Sequence, residues 1–119
     1  MTVRAIRGAI VVVEDTPACV LDATQRLVEA MLERNGAVGE DLISMLFTVT
    51  DDITSVFPAE AARRMGLGSV PLMCAREIPV AGSMPLVVRV LMHLHTQRSL
   101  TEVEPVYLDG AESLRDDLG

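Results

Sequence analysis

The sequence predicts an α+β fold in which about five β-strands carry one long and one short helix. Five separate segments are rich in β-branched and other apolar residues, which is typical of strands. A sixth segment repeats apolar residues at helical spacing, and a seventh, shorter one begins at a proline and closes at a glycine. The 119 residues suit a single domain covering residues 1–119. Within it we expect residues 110–119, acidic and poor in apolar side chains, to form a short turn or helix and a flexible tail.

The first strand is predicted over residues 3–13, and the long helix follows it. Side chains alternate along a strand, so Arg7 shares its face with Ala5 and Ala9. Thr16 is a suitable helix cap and Pro17 suits the first helical position, while Asn35 and Gly36 mark the end of the helix. The apolar face of this helix comprises Val20, Leu21, Thr24, Leu27, Val28, Met31 and Leu32.

The remaining elements follow in order. Residues 42–50 read as a buried strand that Asp51 and Asp52 end, and residues 58–65 as a short helix closed by Gly66. Residues 71–78 form a third apolar segment. A fourth strand lies in the uncharged run that surrounds Arg89 and continues to about Thr96, and residues 103–108 form a last short strand.

Arg89 is the most informative residue of this pattern. Alternation places it on one face of its strand with Val87 and Leu91, so we expect its guanidinium to be buried. A buried guanidinium stays charged and needs an acceptor for its hydrogen bonds. Arg7, Arg63 and Arg89 could together hold an anionic ligand. Alternatively, they pair internally with Glu77 or the aspartates.

Three other residues allow more than one interpretation. His93 and His95 share one strand face and could bind a metal, but no third ligand follows at a defined spacing, and ordinary hydrogen bonding is the alternative. Cys74 could contact a polar ligand or simply pack, since no base for a nucleophilic thiol lies nearby. Gly66 and Gly68 do not indicate a phosphate-binding loop, because the loop length and the Lys-Ser/Thr ending of that motif are missing.

Composition excludes several classes of function. The net charge of −7 disfavours general attraction to nucleic acid or to an anionic membrane, and three aromatic residues cannot build a base-stacking platform. No segment is long and apolar enough to span a membrane, and arginines interrupt the first apolar segment, so we expect a cytoplasmic protein. The hydrophobic content of 50% is high for a small monomer and predicts apolar surface buried between subunits.

Six motifs, in order along the chain, resemble the trimeric pseudo-α/β-barrel class of monofunctional chorismate mutases. They are VRAIRGA at residues 3–9, VFPAEAAR at 56–63, VPLMCARE at 70–77, RVLM at 89–92, VYL at 106–108 and LRD at 114–116. The resemblance implies a mixed β-sheet, a homotrimer with active sites at subunit interfaces, and isomerisation of chorismate to prephenate in aromatic amino acid biosynthesis. It also implies a [3,3] rearrangement that needs no cofactor. A non-catalytic trimer that binds a small carboxylate, as a sensor, is the alternative.

The resemblance also implies roles for individual residues. Arg7 and Arg89 would grip the substrate, with Arg89 at the ether oxygen of the breaking bond, and Glu77 would lie near the ring hydroxyl. Phe57, Ala59 and Arg63 would form a wall from the neighbouring subunit. The other substrate-binding positions would be Leu72, Met73, Cys74 and Tyr107, with Leu114 and Arg115 closing over the pocket. Glu60 stands where the family often has a lysine, which implies weaker substrate binding.

Overall fold

The computed structural model describes the backbone of residues 1–118 and the side chains of residues 1–114. Helices follow each of the first two strands, three further strands come in succession, and the chain ends in a 3-10 helix. The elements are β1 (Thr2–Val11), α1 (Pro17–Arg34), β2 (Leu42–Val49), α2 (Ala59–Arg64), β3 (Leu72–Arg76), β4 (Val87–Thr96), β5 (Val106–Leu108) and the C-terminal 3-10 helix (Ala111–Leu118), with a one-turn 3-10 helix at Gly39–Asp41.

The five strands form one mixed sheet in the order β3-β2-β4-β1-β5. Strand β4 lies at the centre and pairs antiparallel with β1 and β2, whereas β1 with β5 and β2 with β3 are parallel. The predicted α+β class, with a mixed five-stranded sheet and two helices, is therefore confirmed. No helix within residues 1–118 combines the length and apolar character that a membrane span requires.

The two faces of the sheet differ in what packs against them. The helix face packs against α1 and α2, and its core includes Ile10, Phe47 and Met92, all fully buried. The opposite face, called the open face below, carries the alternate side chains and has no α-helix over its middle. The open face comprises Val3, Ala5, Arg7, Ala9 and Val11 of β1, Ser44, Leu46 and Thr48 of β2, Met73 and Ala75 of β3, Val87, Arg89, Leu91, His93 and His95 of β4, and Tyr107 of β5.

Helix α1 begins and ends where the sequence predicts. The Thr16 side chain accepts a hydrogen bond from the Cys19 amide, and Pro17 occupies the first turn. At the other end, the Asn35 side chain donates to the carbonyl oxygens of Met31 (2.8 Å) and Glu104 (3.0 Å). This buried amide therefore closes the helix and also ties it to the segment before β5.

Several strands are shorter than predicted. β1 ends at Val11 rather than residue 13 because the chain that pairs with it turns away before β4 begins. The turn is at Leu86, which has a positive φ of 55°. The Leu86 amide donates to the Asp52 carboxylate at 3.0 Å. β5 begins only at Val106, since Pro105 lacks an amide hydrogen and the Glu104 amide donates to Asn35 instead, at 2.7 Å.

The C-terminal 3-10 helix covers one end of the open face. Ala111 and Leu114 are buried there against Ala9 and Val87, with Tyr107 beside them. The short helix or turn expected in this segment is thus present. The predicted flexibility of residues 110–119 stays a prediction, and Gly119 lies outside the described residues.

Candidate active site

Arg7, Arg89 and Tyr107 line one cavity of about 270 Å³ on the open face, called the sheet cavity below. Strand register brings them together: Ala9 lies opposite Arg89 on one side and beside Tyr107 on the other. Thr48, opposite Arg89 on β2, completes the polar lining. Two arginines and two hydroxyl groups thus surround a shallow hollow in an otherwise apolar surface.

Glu77 holds Arg89 through a single nitrogen. Arg89 Nε lies 3.0 Å from Glu77 Oε2 and donates to Glu77 Oε1 at 3.2 Å. The carboxylate is itself anchored, because Thr48 Oγ1 donates to Glu77 Oε2 at 2.7 Å. Among the residues whose side chains are described, the hydrogen bonding of Arg89 uses Nε alone, so both terminal nitrogens remain available to a ligand.

The burial predicted for Arg89 is not complete in the single chain. The Arg89 side chain is 42% exposed and Arg7 is exposed, because neither α1 nor α2 packs on this face of the sheet. Internal pairing with Glu77, one of the two alternatives for Arg89, is confirmed. The structure also settles the orientation of Glu77, which faces the arginine rather than solvent, with a side chain only 19% exposed.

A second cavity, of about 540 Å³, lies at the β3 edge of the sheet and is called the edge cavity below. Its walls come from the segment between β2 and α2 and from the end of β3. The lining residues include Phe57, Pro58, Cys74 and Arg76, together with Thr54 and Ser55. Phe57 is 73% exposed, which leaves an aromatic ring at the mouth of this cavity.

Asp15 fixes the hydroxyl-bearing wall of the edge cavity. Its carboxylate accepts hydrogen bonds from the backbone amides of Thr54 (3.0 Å) and Ser55 (3.2 Å) and from the Thr54 hydroxyl (3.2 Å). The Ser55 side chain first, and then the Thr54 amide, lower the pKa of Asp15 below its ordinary value. The carboxylate therefore stays ionised and orders the loop at neutral pH.

The other predicted positions are distributed around these two cavities. Met73 is 69% exposed on the open face, whereas Leu72 and Cys74 pack partly against the core on the helix face. Ala59 is only 2% exposed, and Leu114 is buried beside Tyr107. The side chain of Arg115 lies outside the described residues.

Arg63 does not join Arg7 and Arg89 within one chain. It lies on α2, where its Nη1 donates to Glu60 Oε1 at 3.2 Å, and Arg64 Nε contacts the other Glu60 oxygen at 3.5 Å. Glu60 is thus neutralised by two neighbours one helical turn away. The three-arginine cluster considered from the sequence is therefore not formed by a single chain.

The histidines give no support to a metal site. His93 Nδ1 lies 3.5 Å from Ser44 Oγ, and His95 is exposed at the end of β4. Within the described part of the chain, no three His, Cys, Asp or Glu residues approach closely enough to hold a metal ion. Both cysteines are unpaired thiols.

Thr48 and Arg76 line the two cavities but were not among the residues predicted from the sequence. Thr48 could have been found, because alternation in β2 places this polar residue on the face opposite Met45 and Phe47. Arg76 precedes Glu77 and therefore points to the other side of the strand. Its part in a cavity depends on the path of residues 53–58, which no local pattern specifies.

Comparisons with known proteins agree with one another. Residues 3–118 match the family model described as chorismate mutase type I. The chain is 53% identical to the chorismate mutase AroH of Thermus thermophilus over 117 residues, which cover 98% of this chain and 96% of the relative. It is 38% identical to the chorismate mutase AroH of Bacillus subtilis over 119 residues, covering 99% and 94% of the two chains.

A solved structure gives the same result. The chain is similar to a chorismate mutase from Clostridium thermocellum with a TM-score of 0.91 and 44% identity. The superposition covers 92% of this chain and 98% of that one. Sequence and fold therefore point to one family along almost the whole chain.

Proposed function

This chain belongs to the type I chorismate mutase family and is an isomerase that acts on chorismate, and we propose that the reaction occurs in a site shared by two subunits. The observation that carries the proposal is the separation of the predicted site residues into two groups. The sheet cavity and the edge cavity have no lining residue in common. We infer from this separation that a site using both Arg89 and Phe57 is built from two chains.

The shared site is built from the open face of one subunit and the edge cavity of the next. Arg7, Arg89, Glu77 and Tyr107 come from the first subunit. Exposed apolar side chains on the open face, such as Val3 at 52% and Met73 at 69% exposure, supply surface for association. With a closed ring of like interfaces, three subunits form three sites.

The second subunit supplies the wall of the pocket. Phe57 and Cys74 line it directly, Ala59 and Arg63 follow Phe57 on α2, and Leu72 shares a face of β3 with Cys74, whereas Met73 lies on the open face. Leu114 is buried beside Tyr107 of the first subunit, next to the proposed pocket, and Arg115 follows it in the sequence. The ion pairs of Glu60 with Arg63 and Arg64 reduce the repulsion that its carboxylate would exert on an anionic substrate at the rim.

The reaction from chorismate to prephenate is an intramolecular [3,3] rearrangement, in which a C–O bond breaks as a C–C bond forms. No proton moves, so the site needs neither an acid–base pair nor a nucleophile. The arginines hold the carboxylates of the substrate and fix the enolpyruvyl arm over the ring before the reaction. This selection of the reactive conformer is the first contribution to the rate.

Arg89 supplies the second contribution. Cleavage that runs ahead of bond formation leaves partial negative charge on the ether oxygen, and a fixed cation there binds the transition state better than the substrate. The anchoring of Nε by Glu77 supports this role, since it fixes the guanidinium plane and leaves the terminal nitrogens for the substrate. Thr48 in turn holds Glu77 in position.

A direct assay tests the proposal. Purified protein is mixed with chorismate, without metal or nucleotide and with a chelator present, and the disappearance of chorismate and appearance of prephenate are followed. We expect catalytic turnover far above the uncatalysed rate. Saturable binding without turnover would favour the alternative of a carboxylate sensor, and loss of activity on addition of the chelator would contradict a metal-independent mechanism.

A further inference from the structure

Arg76 is the one charged residue among those that line the edge cavity. The remainder of the lining is apolar or carries only hydroxyl or thiol groups: Val49, Ile53, Thr54, Ser55, Val56, Phe57, Pro58, Cys74 and Ala75. Arg76 is a single cation in this lining and creates a positive potential there, which the Asp15 carboxylate, bound to the Thr54 and Ser55 amides of the wall, reduces. The chemistry of the cavity therefore suits a ligand with an apolar body and one anionic end.

Strand register separates Arg76 from the sheet cavity. Arg76 pairs with Val49 at the end of the parallel β2–β3 ladder, whereas Glu77, the next residue, extends to Thr48 and Arg89 on the open face. Adjacent residues of one strand thus serve opposite faces. Glu77 pairs with Arg89 and therefore not with Arg76.

Arg76 forms no ion pair with any of the side chains described for residues 1–114. Residues 1–114 form four ion pairs, and these involve Arg26, Arg63, Arg64 and Arg89. Glu60 on α2 is the acidic residue nearest in sequence to Phe57 at the mouth of the cavity. It already pairs with Arg63 and Arg64. Arg76 is thus an exposed cation beside an aromatic wall, with its guanidinium available for a carboxylate.

We propose that Arg76 binds one carboxylate of the substrate and sets the preference of the edge cavity for a cyclic dicarboxylate. The inference rests on the shared site proposed above, to which it adds a substrate-binding residue. The ring or the enolpyruvyl arm packs on Phe57 while the guanidinium holds the carboxylate that Arg7 and Arg89 do not reach. Arg76 makes this contact equally before and during the rearrangement, so it acts on affinity and not on the chemical step.

The test is the replacement of Arg76 by Gln and, separately, by Lys, with steady-state kinetics on chorismate. Loss of a charge-assisted hydrogen bond weakens binding by about 10- to 100-fold, so the KM of Arg76→Gln should rise by that factor while kcat stays within about twofold. Arg76→Lys, which keeps the charge, should recover part of the affinity. Arg34→Gln, an exposed residue on α1, removes the same charge elsewhere and should leave KM unchanged.

Calorimetric titration with prephenate provides a second readout that does not depend on turnover. The Kd for prephenate should rise in Arg76→Gln in parallel with KM. An unchanged KM and Kd, or a loss confined to kcat, would overturn the role of Arg76 even in an active enzyme. If the wild-type protein showed no turnover, the proposed function would fail, yet a selective loss of prephenate binding in Arg76→Gln would still support a carboxylate site at this residue.

Discussion

Arg89 and Glu77 meet through one nitrogen and two oxygens: Nε of the arginine lies 3.0 Å from Oε2 and donates to Oε1 at 3.2 Å. The more frequent bidentate arrangement would engage two guanidinium nitrogens with the carboxylate. Here the carboxylate orients the guanidinium without occupying its terminal nitrogens. The pair therefore prepares a cation for a substrate instead of neutralising it completely.

Replacement of Arg89 by Ala should abolish most of the turnover. Removal of a preorganised donor to a developing oxyanion typically costs about 3 to 4 kcal/mol, which corresponds to a loss of hundreds-fold or more in kcat. Arg89→Lys should also be impaired, because one ammonium group cannot contact Glu77 and the substrate with the same geometry. Single-turnover and steady-state kinetics on chorismate measure both effects.

Folding must be intact for this comparison, so circular dichroism and molar mass should match those of the wild type. The side chain is 42% exposed and lies outside the core, which makes a large loss of stability unexpected. A correctly folded Arg89→Ala protein with full activity would refute the mechanism.

Thr48 should affect catalysis only through Glu77. Thr48→Val keeps the shape and the strand preference of the side chain but removes the 2.7 Å hydrogen bond to Glu77 Oε2. A hydrogen bond to a charged group contributes about 1.5 to 3 kcal/mol, so we expect kcat to fall roughly tenfold or more as the carboxylate loses its fixed position. Thr48→Ser retains the hydroxyl and should stay close to wild type; equal activity of both variants would exclude a positioning role.

A site shared between subunits predicts complementation. Arg89→Ala disables the open face, and Phe57→Ala disables the edge cavity, whose exposed ring contributes little to the core. When the two variants are mixed in equal amounts, unfolded and refolded together, about a quarter of the interfaces combine two intact halves. Activity should recover accordingly, and a mass measurement in solution should give a trimer.

Each variant refolded alone provides the control and should remain inactive or poor. If the whole site lay within one chain, every chain in the mixture would carry a defect, and the mixture would show no activity beyond the sum of its parts. That result, or a monomeric mass, would contradict the shared site.

The sequence predicted those features that depend on local periodicity. The cap at Thr16, the apolar stripe of α1 and the alternation that places Arg89 opposite the core face all appear as expected. They could be predicted because each depends on residues a few positions apart along one element. The pairing of Arg89 with Glu77 remained one of two alternatives, since the residues are joined by a loop whose path is not encoded in a simple pattern.

The burial predicted for Arg89 is only partial within one chain, for a physical reason. A run of apolar residues around a strand arginine shows that both faces avoid charge, but it does not show whether a helix of the same chain or another subunit covers them. The edge cavity was missed for a related reason. Phe57, Cys74 and Arg76 come together only through the packing of the segment before α2 against β3.

Gly8 should be required for the close approach of α1 to the sheet. A Cβ atom at this position would overlap Met31 Sδ and would lie 3.1 Å from Leu27 Cδ1, and both of these side chains are fully buried. Gly8→Ala should therefore cost roughly 1 to 3 kcal/mol of the free energy of unfolding, measured with denaturant. Gly68→Ala, where a Cβ meets nothing within 4 Å, should be neutral or slightly stabilising; equal effects at both positions would contradict the packing argument.

The ion pair between Arg26 and Asp109 should make a small contribution to stability that disappears in acid. Arg26 Nη1 and Nη2 donate to Asp109 Oδ2 and Oδ1 at 2.7 and 3.1 Å, and this contact lowers the pKa of Asp109 below its ordinary value. Because the folded pKa lies below that of the unfolded chain, the contribution is complete above about pH 4 and is lost as the pH falls through the folded pKa.

Both side chains are more than 40% exposed, at 46% and 43%, so Asp109→Asn should lower the free energy of unfolding at pH 7 by at most about 1 kcal/mol. Asn also tolerates the positive φ of 53° at this position, which limits the change to the charge. Denaturant titrations from pH 7 to strongly acidic pH should show the wild type and Asp109→Asn converging, with Arg26→Gln following the same course; a difference that persists unchanged in acid would show that its origin is not this ion pair.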